Sequence, residues 1–168
     1  MNTDSAKPEM AFYTGHKAIL ASGPITRKEY CNYRGWDLPE DEDGNELVRI
    51  VEYIDGGHSN DLRHKGYISM SPDNVFDNAY KKSGEMSFGD AVFLLKRGYR
   101  VCRSGWNGKE MFVIYVKGTD YQLNTIAKNK LVGYTQRPWM GLKTANNEFA
   151  VWTPSGSDCL ANDWCIVN

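Results

Sequence analysis

Four of the five tryptophans, Trp106, Trp139, Trp152 and Trp164, lie in the second half of this 168-residue chain. A flat indole stacks on a nucleobase with about 1–3 kcal/mol per base. Polar groups of fitting chemistry accompany them. Asn107 and Asn162 carry amides that read the edge of a base or the hydroxyls of a ribose. Arg103, Lys109 and Lys143 supply cations that neutralise a pyrophosphate, and arginine does so in two-pronged fashion. Thr144 and Ser155 add hydroxyls. The tryptophans are not equivalent. Trp164 lies in an apolar stretch and reads as core, whereas Trp106, bracketed by Gly105 and Gly108, reads as a ligand contact. Trp139 and Trp152 fit either role.

Constellations for covalent chemistry are missing. There is no G-x-S-x-G, no G-x-x-x-x-G-K-[ST] and no H-E-x-x-H. His16, His58 and His64 fall in loop-like surroundings and read as solvated side chains. Asp158 and Asp163 have the right chemistry for an acid and a base, but no nucleophile accompanies them. The four cysteines, at 31, 102, 159 and 165, form no C-x-x-C and read as free thiols of a reducing compartment, not a zinc site. The acidic run LPEDEDGNE (38–46) lacks the spacing of a calcium loop and reads as a solvated connection. A binding protein without catalytic residues, metal or cofactor is therefore expected.

The elements that must position the binding residues begin at Met86. Ser87 with Asp90 gives a capping-box pattern, and Phe88, Ala91, Val92 and Leu95 make one helical face apolar. Gly98 ends this helix and Tyr99 to Arg103 alternates as a strand. Gly105-Trp106-Asn107-Gly108 then turns sharply and leaves both side chains open to a ligand. Met111 to Val116 is nearly all apolar and reads as a central strand. The polar segment 117–137, with Tyr121, Tyr134 and a Lys/Asn-rich patch at 127–130, reads as a long loop. Trp139 to Lys143, Glu148 to Trp152 and Asp163 to Val167 complete the sheet, with Asn146-Asn147 as a tight turn. The fold class expected is α+β, with one helix on an antiparallel sheet of four to five strands.

A small α+β module precedes this domain. After a polar segment at 1–10, a first strand is expected within Phe12 to Leu20. Thr26 and Glu29 form a capping box opening a helix that ends near Arg34-Gly35. Leu47 to Ile54 and Gly66 to Ser71 are β-rich, with Asp55-Gly56-Gly57 as the turn after the first. Ser71-Pro72 should open a helix through Lys82. Lys81 to Glu85 reads as a linker, which divides the chain into 1–84 and 85–168. The halves differ in charge. Residues 1–84 hold ten Lys and Arg against fourteen Asp and Glu, and residues 85–168 hold ten against seven. The mild positive excess suits a small anionic ligand but falls short of the basic stripe of a duplex-binding protein. No run approaches a membrane span, and the opening residues lack the pattern of a secretory signal.

Four motifs together resemble the Thoeris anti-defence protein 2 family of phages. They are the helix, strand and GWNGK turn ending at Lys109, Pro138 to Ala145 (PW-x-x-x-K-T-A), Val151 to Ser155 (W-x-P-S) and Leu160 to Val167 (LA-x-DW-x-IV). The last includes Asp163, counted here with the ligand-binding residues. The resemblance covers residues 85 to 168. It implies a sponge that sequesters cyclic nucleotide immune messengers, glycocyclic ADP-ribose chief among them, in the cytoplasm of an infected bacterium. It also implies a homo-oligomer, a tetramer built as a pair of dimers, with pockets at subunit interfaces. Residues 1–84 resemble a module of small phage proteins with no known chemistry. The alternatives are an interaction module that targets a host protein through the first half, and a nucleotide-processing enzyme.

Overall fold

The structure is a computed structural model. It describes residues 11, 12, 14–118, 135 and 137–167. The expectations for residues 1–10, Tyr121, Tyr134 and the patch at 127–130 lie outside the described residues. Two units emerge, Met1–Phe76 and Asp77–Asn168, each internally packed.

In the first unit, β1 (Ile19–Ala21), β2 (Ile25–Thr26) and β4 (Tyr67–Pro72) all pair antiparallel with β3 (Leu47–Tyr53). Helix α1 (Arg27–Arg34) begins at the expected box: Thr26 accepts from the Glu29 N–H and the Glu29 carboxylate accepts from the Thr26 N–H. It ends where Gly35 takes φ 70, a conformation that costs a Cβ-bearing residue energy. Tyr30, Cys31, Val48, Val51 and Ile68 are buried.

Three local expectations change in this unit. Ser71-Pro72 does not start a helix, because pairing with β3 runs on to Val48↔Pro72 and α2 (Asp73–Ala79) begins after it. Asp55 to Gly57 is not a tight hairpin turn, because the first strand pair of the ladder is Tyr53↔Tyr67 and a longer connection intervenes. His64 is not simply solvated. Its Nε2 is 2.7 Å from the Tyr33 hydroxyl and its Nδ1 is 2.7 Å from Glu52. The acidic run is likewise held, since Arg27 donates to both Glu42 and Glu46.

The second unit has the expected architecture. Helix α3 (Phe88–Lys96) starts at Ser87, whose capping box with Asp90 is complete, and Gly98 at φ 89 turns the chain into β5 (Arg100–Arg103). The antiparallel sheet continues with β6 (Phe112–Val116), β7 (Trp139–Lys143) and β8 (Phe149–Val151). A short helix, α4 (Gly156–Cys159), precedes β9 (Trp164–Val167). The strand order is β8-β7-β6-β5-β9, so the apolar β6 is central as its sequence required. Asn147 takes φ 63 in the turn between β7 and β8. The stretch 81–85 is bonded to β9: Ser83 Oγ accepts from the Ile166 N–H, and the Gly84 N–H donates to the Trp164 carbonyl.

One face of the sheet carries the core. Ala91, Leu94 and Leu95 of α3 pack with Val101, Val113 and Trp164, and Met140, Leu142 and Ile166 border them. The alternate positions, among them Cys102, Phe112, Ile114, Trp139, Phe149, Val151 and Cys165, form a second apolar face on the side away from α3. Phe149 lies over Gly141, where an added Cβ would come within 2.2 Å of its ring.

Trp164 is fully buried, as its apolar context predicts, and its Nε1 donates to the Asp158 carbonyl. Trp164→Ala should cost about 3–5 kcal/mol of stability, measured by chemical denaturation. A cost below about 1 kcal/mol would show that Trp164 is not central to the core.

Candidate functional site

Where β5 ends, Arg103 projects on the core face of the sheet and meets two acids from the last part of the chain. Its Nε donates to Asp163 Oδ1 at 2.7 Å and its Nη1 to Asp158 Oδ1 at 2.9 Å. Asp163 is the residue before β9, and the pairing Arg103↔Trp164 brings it alongside. Asp158 arrives through the capping box of α4. Ser155 accepts from the Asp158 N–H, and the Asp158 carboxylate accepts from both the N–H and the hydroxyl of Ser155. The S-x-x-D spacing at Ser155 is the same one that starts α3 at Ser87. That spacing is the sequence signal that marks Asp158.

The turn after β5 closes on the same cluster. The Gly105 N–H donates to Asp163 Oδ2 at 3.1 Å, and a Cβ on Gly105 would stand 2.9 Å from that oxygen. A Cβ on Gly108 would stand 2.1 Å from Met111 Sδ. These two glycines are thus required by close approach and not by unusual φ, and the left-handed position of the turn falls to Glu110 at φ 54.

Trp106 does not stand free. Its ring packs edge-on against Trp152 at 5.9 Å and against Trp164 at 5.7 Å between centroids, and its Nε1 points to Asp158 Oδ1 at 3.5 Å. Trp152 and Trp164 are themselves 6.1 Å apart, and Phe88 of α3 touches both. Such edge-to-face contacts add about 0.5–1.5 kcal/mol per pair beyond burial. Trp106 and Trp152 remain half-buried while Trp164 is closed off, so an indole wall with two accessible members borders the ionic cluster.

Arg103 is paired with two acids of its own chain. One guanidinium faces two carboxylates, so the cluster keeps one excess negative charge. Burial pushes the Asp158 carboxyl up, but the Ser155 hydroxyl and N–H, Arg103 and the Trp106 indole together hold it down at about 2. Asp163 is lowered chiefly by its bond from Arg103. Both are therefore ionised at neutral pH, and neither stands ready as a proton donor.

The remaining expected residues are distributed. Asn107 and Lys109 are exposed on the turn, and Asn162 is exposed one residue before Asp163. The Thr144 hydroxyl accepts from the Glu148 N–H and so closes the β7–β8 hairpin. Trp139 and Lys143 lie on the opposite face of the sheet, with Trp139 against Phe149 at 5.7 Å and Lys143 Nζ 3.7 Å from Glu110. The structure thus gathers Arg103, Trp106, Trp152, Ser155 and Asp163 around Asp158, and sets Trp139 and Lys143 apart from them. Among the described residues no group of three or more His, Cys, Asp or Glu is arranged to hold a metal.

The profile of the Thoeris anti-defense 2-like domain matches residues 86–167. Thoeris anti-defense 2 of Bacillus phage SP01 is 43% identical over 91 residues, covering 50% of this chain and 97% of that protein. The chain belongs to the Thoeris anti-defense 2 family. Nearly the whole of that relative corresponds to half of this chain, and the matched domain spans α3 to β9, including every residue of the ionic cluster and indole wall.

The low folded-state pKa of Asp158 links the cluster to acid stability. Its contribution is full above its unfolded value of about 4 and is lost as pH falls toward about 2. The midpoint of acid unfolding should therefore move to higher pH in Asp158→Asn. At neutral pH, Asp158→Ala should cost about 1.5–3 kcal/mol, the loss of hydrogen bonds to a charged group. An unchanged acid midpoint in Asp158→Asn would mean that another group governs acid unfolding.

Proposed function

We propose that this protein is a non-enzymatic sponge that binds and withholds cyclic nucleotide immune messengers of the glycocyclic ADP-ribose type, cyclic dinucleotides being a second class, and so blocks Thoeris-type and related bacterial defences. The observation that carries the reading is family membership at 43% identity across 97% of a phage anti-defense relative. The site chemistry supports it. Trp106 and Trp152 offer half-buried indoles to a base, and Asn107 and Asn162 offer exposed amides to a base edge or ribose. Lys109 and Lys143, with Arg103 between its two acids, are the cations for a pyrophosphate.

The distribution of these residues also favours a homo-oligomer. Trp106 and Trp152 lie on the core side of the sheet, and Trp139 and Lys143 lie on the other. One sheet cannot turn both sets toward one ligand. Two copies meeting through the second apolar face can, and a shallow sheet gains an enclosed pocket that way. We propose a tetramer of paired dimers, acting in the host cytoplasm, with residues 85–168 as the messenger-binding domain.

Incubation of the full chain with glycocyclic ADP-ribose, followed by separation of the protein from free ligand and then heat denaturation of the protein fraction, tests the proposal. A sponge depletes the free messenger and returns it intact on heating. Recovery of a hydrolysed product would make the protein an enzyme. Failure to deplete any candidate messenger would favour an interaction module that acts on a host protein.

A further inference from the structure

The family reading makes no use of the thiols, yet two of them are placed together by the sheet. Cys102 on β5 and Cys165 on β9 occupy directly opposite positions of an antiparallel pair. Their Sγ atoms are 3.2 Å apart, and the Cys165 thiol also lies 3.4 Å from the Cys102 carbonyl, to which it donates. Opposed residues in such a pair have Cα atoms roughly 4.5–5.5 Å apart, within the ~4.4–6.8 Å that a disulfide spans. Both cysteines are free thiols, half-buried on the apolar face away from α3. Cys31, buried in the first unit, and Cys159, exposed on α4, belong to neither strand of this pair.

We propose that Cys102 and Cys165 form a modification site, which a low-molecular-weight disulfide converts into a reversible cross-strand bond stapling β9 to β5. The thiolate of Cys165 attacks one sulfur of the oxidant, forming a mixed disulfide, and one thiolate of the oxidant leaves. Cys102 gives its proton to solvent and attacks the Cys165 sulfur, and the second thiolate leaves. The protein gives up two electrons and two protons, and the oxidant becomes two thiols. Burial, and after it the bond with Cys165, push the Cys102 thiol up to about 12. Thiolate is therefore scarce at neutral pH, the closing step is slow, and closure accelerates as pH rises.

The staple would act on the candidate site through the neighbouring residues. Cys102 precedes Arg103, and Cys165 follows Asp163 and Trp164. The bond would fix the register Arg103↔Trp164, on which the alignment of Arg103 with Asp163 depends. It also closes a long stretch of chain, which restricts the unfolded state.

Glutathione disulfide at mildly alkaline pH, followed by acid quenching and peptide mass spectrometry of the full chain, reads the outcome site by site. The expected result is a Cys102–Cys165 peptide pair lacking two hydrogens, a glutathionyl group on exposed Cys159, and a melting temperature raised by several degrees and reversed by dithiothreitol. Cys102→Ala and Cys165→Ala should each abolish both the linked peptide and the thermal gain. If Cys159 is modified while Cys102 and Cys165 remain thiols or each carry glutathione, the proposal is overturned. Closure without a rise in melting temperature overturns the stapling.

Discussion

A single guanidinium held between two carboxylates organises the second unit. Arg103 comes from the strand that follows α3, Asp158 from a capped turn more than fifty residues later, and Asp163 from the residue before the last strand. Each partner is satisfied by further bonds, which half-buried charges require if desolvation is not to exceed their attraction. The Asp158 carboxylate takes Ser155 as well as Arg103, its carbonyl takes the Trp164 indole, and Asp163 takes the Gly105 amide. The turn carrying Trp106, the helix α4 and the edge strand β9 are therefore aligned by one set of contacts. Hydrophobic burial around Trp164 provides stability, and the ionic cluster decides which indoles stay accessible.

This arrangement explains why the three indoles differ. Trp164 is enclosed from every side and donates inward. Trp106 and Trp152 meet it edge-on, which keeps part of each ring at the surface and fixes its orientation before any ligand arrives. The edge-on contacts and the bond from the Trp106 indole toward Asp158 hold the two half-buried rings in place. The ionised Asp158 and Asp163 hold that wall through Arg103, the Gly105 N–H and the Trp106 indole.

Much of this was legible in the sequence because local rules governed it. The caps at Thr26 and Ser87, the stop at Gly98, the central position of β6 and the burial of Trp164 each follow from a few neighbouring residues. Pairing partners far apart in sequence were less legible. Nothing adjacent to Arg103 shows that two acids near the chain's end will pair with its guanidinium. Trp106 read as free because its flanking glycines suggested an open turn, whereas they accommodate Asp163 and Met111. His64 read as solvated because Tyr33 and Glu52, its partners, lie on other elements. Ser71-Pro72 imitates a helix start, and only the length of β3 shows that it ends a strand.

We propose that a nucleotide messenger binds against the exposed sides of Trp106 and Trp152. A titration of the nitrogen-15-labelled full chain with glycocyclic ADP-ribose, following the indole N–H resonances, addresses it directly. Single Trp→Phe variants assign the resonances. The account predicts saturable shifts for Trp106 and Trp152, with Trp36 of the first unit unchanged. Saturable binding that moves Trp36 while leaving Trp106 and Trp152 unmoved would contradict it.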